Sequence, residues 1–427
     1  MKKFCFFACI VSNATRQKCI CKKKLNGENR RDSRFNQLAT GTSCKQDSFH
    51  PSNNGIKLDK KQSREQQIAL LKSLNLIFER NPELKIRFEK VTSFARQVRV
   101  SEYHLTNACN IRCKGCWFFE FEHDLESREV KDLNSLEKFL INERERRHIN
   151  TALVIGGEPA LFLDRLSLYK SVMKYVTVSS NGLQKIPYEG FEDVTIGLTL
   201  FGGGPLDDEL RAIKPSGKRF NGLFEKALFN YKDDPRAGFV YAITEDGIPY
   251  IEETVRRIHE NGNILNFNYY SKYDQMTPVD GMRKNALLEE ALRVKKLFPN
   301  TVISHEYYIK AMLTGESHWG IFSYDECPSI SVSHPAHKDR LQNGNPYLPQ
   351  FNTWSADLRT VKFCCTSGHC TGCRDSQAVF SWLMVNVRHF SSSEEELQTW
   401  IEIAESYWRQ FYWSPYHRYS QKNFFNM

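Results

Sequence analysis

No apolar run in this 427-residue chain approaches the roughly 20 residues a helix needs to cross a bilayer, so a membrane-spanning protein is not expected. The body of the chain also lacks a basic excess. The formal charge is +9, but residues 1–62 hold 14 Lys and Arg against 4 Asp and Glu, a net of +10, which leaves −1 for the rest. The positive charge belongs to the leading segment and says nothing about a nucleic-acid face on the body, and no nucleic-acid partner is expected. Cysteine is missing between Cys116 and Cys327. The thirteen cysteines fall instead into three groups, at 5–44, 109–116 and 327–373. Such grouping in a long, enzyme-like chain points to metal rather than to disulfides.

Residues 1–62 lack apolar periodicity and are rich in Gly, Ser, Asn, Lys and Gln, the composition of an unfolded segment. Met1-Lys2-Lys3 followed by the apolar Phe4 to Val11 faintly resembles an export signal. An organelle presequence or an upstream start codon fits equally, and the expected location is cytoplasmic. Residues 63–97 turn helical, with Ile68, Leu70, Leu71, Leu74, Leu76 and Ile77 at near-helical spacing.

The chain is organised around Cys109-Asn110-Ile111-Arg112-Cys113-Lys114-Gly115-Cys116, which follows a short strand at Val100 to Leu105. Three thiolates on one tight loop suit an iron–sulfur cluster or zinc. No fourth cysteine lies nearby, and an incomplete ligand set leaves a position open for chemistry. A zinc loop or buried thiols are the plainer alternatives.

From here to about residue 300, strand and helix alternate. Strands are expected at 151–155, 176–180, 194–200, 238–244 and 264–270, with helices at 133–146, 163–174, 220–231, 251–261 and 284–298. Repeated strand–helix units make a parallel sheet with right-handed crossovers. The second strand runs into Gly156-Gly157-Glu158-Pro159, where glycine permits close backbone approach and a carboxylate can meet an ammonium. The third ends in Ser179-Ser180-Asn181-Gly182, a polar strand end or a plain Asn-Gly turn. Thr199, Thr244, Glu245 and Asp246 are further candidates for the cavity. Asn266, Asn268 and Tyr270 alternate on the sixth strand, where ordinary barrel filling is the better reading.

The cysteine loop and the glycine turn resemble the signatures of the radical SAM superfamily. The resemblance covers residues 98–300 and implies a partial (β/α)6 TIM-type barrel with the site at the strand C-terminal ends. It implies that Cys109, Cys113 and Cys116 hold three irons of a [4Fe–4S] cluster and that S-adenosylmethionine (SAM) chelates the fourth. It implies too that Gly156, Gly157, Glu158 and Pro159 hold the SAM amino group and that Ser179 and Asn181 meet its ribose or carboxylate. Trp117 packs near the adenine or is core. Two departures stand out: Gly115 occupies a position often aromatic in that family, and strand five lacks the family's glycines. The implied activity is reductive cleavage of SAM to a 5′-deoxyadenosyl radical that abstracts hydrogen from a substrate, with flavodoxin or ferredoxin as reductant.

Residues 301–427 form a cysteine-rich, loop-and-helix extension, with loops from about Cys327 to Arg359 and helices at 376–390 and 394–412. Cys327, Cys364, Cys365, Cys370 and Cys373 supply up to five thiolates, and four of them suit a second [4Fe–4S] cluster or structural zinc. Cysteine extensions of the SPASM or Twitch type in that superfamily favour the cluster. His334 and His369 are surface or packing residues before they are ligands. Peptide-modifying members often carry leader-binding strands ahead of the barrel. None is evident here, so the expected substrate is a small metabolite, with a ribosomal peptide as the alternative. The remaining alternative is a zinc- or cluster-stabilised binding protein without SAM turnover.

Overall fold

A computed structural model of the chain describes residues 60–120, 122–270, 281–314, 352–360, 374, 376–385 and 387–411. Two compact units emerge, Met1–Lys72 and Ser73–Met427. Of the first, residues 60–72 are described, and they lie in helix α1 (Lys60–Arg80). The second unit contains the sheet and is considered from here on.

Seven strands run parallel in one open sheet, in the order β6-β5-β4-β3-β2-β1-β7. They are β1 (Val100–His104), β2 (Thr151–Ile155), β3 (Tyr175–Ser180), β4 (Val194–Phe201), β5 (Ala237–Ile243), β6 (Ile264–Tyr269) and β7 (Thr353–Trp354). The first six follow one another in space as in sequence, which is the expected partial barrel. Their runs are rich in β-branched and aromatic residues and mostly buried, as strands covered on both faces must be. Val100, Ala152, Val154, Val178, Ile196, Leu198, Leu200, Tyr241 and Phe267 are all within 1% of full burial.

Two helices precede β1 and the sheet's first crossover. Helix α2 (Pro82–Gln97) starts where Asn81 caps Leu84 N–H at 3.0 Å and Pro82 takes the first turn. Its buried face of Leu84, Phe88, Val91 and Phe94 meets the C-terminal aromatics rather than ending in solvent. Phe88 lies 5.5 Å from Trp400 and Phe94 lies 5.0 Å from Trp408, and both indoles are fully buried.

The structure corrects the sequence reading at three places. Thr353–Trp354, expected within a loop, is the seventh strand and pairs with β1 through Glu102 and Tyr103. Two residues are too few to show a strand period. Their hold comes instead from Glu102 N–H donating to Asn352 O at 2.8 Å and Trp354 Nε1 donating to the buried Glu143 at 2.9 Å. The helix expected from residue 220 begins at Leu223, because the Asp208 carboxylate caps the Gly222 and Leu223 N–H groups at 2.6 and 2.9 Å. The helix expected over 376–390 ends at Val385 and is followed by a 3-10 turn at Val387–Phe390. The last helix, Glu394–Phe411, starts at the expected residue, where Ser393 Oγ accepts from Glu396 N–H at 3.2 Å. Among the described residues no helix is long and apolar enough to cross a membrane.

One partly buried histidine supports a prediction. His305 Nδ1 accepts from Tyr307 N–H at 3.1 Å, and Nε2 lies 3.1 Å from Glu402. Burial holds its pKa below the usual imidazole range, against the pull of Glu402. The folded chain therefore keeps the ring neutral where the unfolded chain, titrating near about 6.5, binds a proton. Stability is full above that pH and declines as pH falls through the lower folded value. Urea unfolding at pH 7.5 and 5.5 should show a larger loss for wild type than for His305→Gln. Equal losses would refute the assignment.

Candidate metal centre

The cysteine loop leaves the C-terminal end of β1 and is held on two sides. On the first, Leu105 N–H continues the β1–β2 pairing to Ile155 O at 2.8 Å. Gly157 N–H donates to Thr106 O and Glu158 N–H to Ala108 O, each at 2.8 Å. The glycines exist for this contact. A Cβ on Gly157 would lie 1.9 Å from Ala108 O, and one on Gly156, at φ +113°, would lie 2.8 Å from Thr106 O. The Glu129 carboxylate accepts from Thr106 Oγ1 at 3.1 Å and Asn107 N–H at 2.9 Å, and is itself paired with the buried Arg165.

On the second side, Arg112 N–H donates to Ile213 O and Lys114 N–H to Leu210 O, each at 2.7 Å. These straps bind the loop to the helix Pro205–Arg211 and the residues after it. Cys116 then opens the short helix Trp117–Glu120 by accepting from Phe119 and Glu120 N–H at 3.1 and 2.9 Å. Trp117 is thus placed directly after the third cysteine. Gly115 has φ +74°, and Tyr270 from the end of β6 fills the space its side chain would need. The Tyr270 hydroxyl donates to Lys114 O at 2.9 Å. An aromatic ring therefore stands at this position even though residue 115 has none.

Cys109, Cys113 and Cys116 are free thiols in partly buried residues. Burial pushes Cys109 up to about 11 and Cys113 up to about 12, and raises Cys116 as well. Opposing this are backbone N–H groups, from Ile111 toward Cys109 and from Phe119 and Phe118 toward Cys116, and the guanidinium of Arg211 beside Cys113. Without a cation the three remain thiols, so binding a metal releases protons. Among the described residues no three His, Cys, Asp or Glu side chains gather as ligands for a metal ion. The donor set fits a cluster in which each thiolate takes its own iron. An orphaned donor agrees with this: Arg211, 1% exposed, keeps an Nε–H without a hydrogen-bond partner.

Glu158 is 1% exposed, and its carboxylate is engaged by the protein. Oε1 accepts from Ala160 N–H at 3.0 Å and Ser180 Oγ at 2.8 Å, and Oε2 accepts from Asn181 N–H at 2.8 Å. Burial raises its pKa against these donors. It joins the end of β2 to the end of β3, with Pro159 opening the 3-10 turn Pro159–Leu161. Asn181 turns back to the loop: Nδ2 donates to Asn110 Oδ1 at 2.7 Å and lies 4.0 Å from Cys109 Sγ. Ser180, not Ser179, makes the contact with Glu158; Ser179 is partly exposed on β3.

At the β5 and β6 ends, Thr244 Oγ1 accepts from Gly247 N–H at 2.9 Å, Glu245 accepts from Tyr269 Oη at 2.8 Å, and Asp246 pairs with Arg283. Asn266 donates to Asn268 at 3.2 Å, and Thr199 is partly exposed on β4. Cys327, Cys364, Cys365, Cys370, Cys373, His334 and His369 lie outside the described residues. Sequence reasoning missed Asp207, Arg211, Glu129 and Arg165. The signal available was Gly202-Gly203-Gly204-Pro205 at a strand end, followed by an Asp and an Arg four residues apart.

No family model matches the chain, and none of the curated proteins does. Among solved structures, the chain is similar to one described as native anSMEcpe with bound AdoMet, at 14% identity and a TM-score of 0.44 over 77% of this chain and 98% of that one. It is similar to native anSMEcpe with bound AdoMet and Kp18Cys peptide, at 14% identity and a TM-score of 0.42 over 77% and 99%. It is also similar to methylornithine synthase (PylB), at 12% identity and a TM-score of 0.34 over 73% and 91%. At such scores, the functional reading rests on the residues themselves.

Proposed function

We propose that this chain is a radical SAM enzyme. One observation carries the reading: three thiols on a loop at the C-terminal end of β1, locked by glycine contact to the turn that ends β2. Cys109, Cys113 and Cys116 would hold the [4Fe–4S] cluster. Bound there, such a cluster supplies one electron to the SAM sulfonium, which yields methionine and a 5′-deoxyadenosyl radical able to take hydrogen from an unactivated carbon. The chain's own work is placement. The Gly156-Gly157 backbone and the Glu158 network fix the loop relative to β2 and β3, and Asn181 ties the loop's Asn110 to β3. Tyr270 stands beside Gly115, the residue before the third cysteine. Four of Cys327, Cys364, Cys365, Cys370 and Cys373 hold a second cluster. Arg374, next in sequence after Cys373, lies 4.8 Å over the Tyr269 ring at the end of β6.

The substrate in this reading is a small metabolite, because two helices and no strand precede β1 among the described residues. Flavodoxin or ferredoxin supplies the electron. The test is anaerobic reconstitution with iron and sulfide, then SAM plus dithionite, with 5′-deoxyadenosine quantified for wild type and Cys116→Ala. Formation by wild type alone supports the reading. An intact loop cluster that cleaves no SAM, with or without cell extract, would sink it. Fractionating the extract into small molecules and peptides then assigns the substrate class.

A further inference from the structure

Arg211 and Asp207 form an ion pair that is almost wholly buried, at 1% and 0% exposure. Arg211 NH1 donates to Asp207 Oδ1 at 2.9 Å and Oδ2 at 3.2 Å, and NH2 donates to Asn181 O at 3.4 Å. The pair sits on the helix Pro205–Arg211, which is anchored to β4 by Phe201 N–H donating to Asp207 Oδ1 at 2.8 Å. Cys113 packs against the cluster of Ile111, Ala212 and Leu223, which brings it beside Arg211, and the guanidinium charge acts on its thiol. The two backbone straps enclose this place: residues 112 and 114 bond to residues 213 and 210 on either side of Arg211.

The three thiols are not served alike. Cys109 and Cys116 face backbone N–H donors, while Cys113 meets a full positive charge. Arg112 adds charge near the loop, but it is partly exposed and screened, with its guanidinium 4.0 Å over the Phe119 ring. A buried ion pair is weak evidence for stability, since hydrophobic residues of similar volume often do as well. Its place beside one candidate ligand is what calls for a reason.

We propose that Arg211, held by Asp207, is a positioning residue that sets the reduction potential of a cluster at Cys109, Cys113 and Cys116 through its buried charge beside Cys113. The inference rests on the cluster reading above. Reduction adds one negative charge to the cluster, and a cation beside a ligand sulfur stabilises that form in a low-dielectric site. Arg211 therefore raises the potential. Asp207 offsets it and fixes the guanidinium in place. The two residues have opposite signs of effect, which a merely structural pair would not.

The test is a dithionite titration of the reconstituted full chain followed by electron paramagnetic resonance, using the signal absent from Cys116→Ser. Arg211→Gln should lower the equilibrium constant of one-electron reduction at least tenfold, about 59 mV. Asp207→Asn should raise it, and Arg211→Lys should stay within about threefold of wild type. If Arg211→Gln fails to assemble the cluster, Asp207→Asn decides: a rise supports the proposal, and no change or a fall overturns it. Shifts of one sign for Arg211→Gln and Asp207→Asn, or no shift in either, overturn it while leaving the cluster reading intact. A wild-type chain that assembles no cluster at the loop overturns both.

Discussion

Gly157→Ala is expected to abolish 5′-deoxyadenosine formation as completely as Cys116→Ala, while the sheet stays folded. The added Cβ would lie 1.9 Å from Ala108 O, 2.3 Å from Ala108 C and 3.0 Å from Cys109 N. All three are backbone atoms, so no side chain can swing aside. Either the β2 end or the cysteine loop must move. The β2 end is fixed by pairing on both sides, with β1 and β3. The loop is the part that yields, and it carries Cys109 with it. Overpacking of this kind costs about 1–3 kcal/mol, occasionally more, and here the cost falls on the placement of a ligand. Iron per chain after reconstitution and the far-ultraviolet dichroism spectrum separate the two effects. Normal iron and normal SAM cleavage in Gly157→Ala would remove the glycine contact from the argument.

Arg236→Ala is expected to destabilise the fold by about 3–5 kcal/mol, the usual cost of breaking a buried pair from one side. Arg236 is 3% exposed and stands just before β5, at the sheet end opposite the cysteines. It bonds Asp234 through Nε at 3.0 Å and NH2 at 2.7 Å. It also donates to Pro187 O at 2.7 Å, Phe191 O at 2.9 Å and Ile186 O at 3.1 Å. Truncation strands a buried carboxylate and three carbonyls at once. Arg236→Lys should recover only part, because an ammonium cannot reproduce the planar fork. The urea midpoint is the measurement, and a change under 1 kcal/mol would contradict it. Iron bound per folded chain should not fall. The two substitutions thus separate the functional end of the sheet from the end that holds it together.

Much of the fold was legible because its signal is local. Runs such as Thr151 to Ile155 and Val194 to Leu200 announce buried strands by composition, and helices with mixed polarity fall between them. What was not legible depends on distant partners. Thr353–Trp354 is a strand because Asn352 and Glu143 hold it against β1, and nothing in two residues says so. In the site, the cysteine spacing and the glycine pair could be read directly. The use of those glycines could not, since it is a contact with Ala108, some fifty residues earlier. Asp207 and Arg211 look like an exposed helical ion pair of the ordinary i,i+4 kind. Their full burial comes with distant partners: Phe201 N–H and Asn181 O meet the pair, and the cysteine loop is strapped to residues 210 and 213. Tyr270 could be seen as one of the alternating residues of the sixth strand, but not as the ring beside Gly115, 155 positions away.

The seventh strand has a consequence in time. β1 ends at His104 and β7 at Trp354, 250 residues later by subtraction. At about 5–20 residues per second, the ribosome needs roughly 12–50 s to make that interval. Until then the strand that leads into the cysteines has an open flank, with Glu102 N–H and its neighbours unpaired on that side. An open flank of this kind invites pairing with a neighbouring nascent chain. Slow synthesis, crowded polysomes or truncation before residue 353 should therefore send this protein into aggregates, and expression that slows initiation rather than elongation should favour intact product.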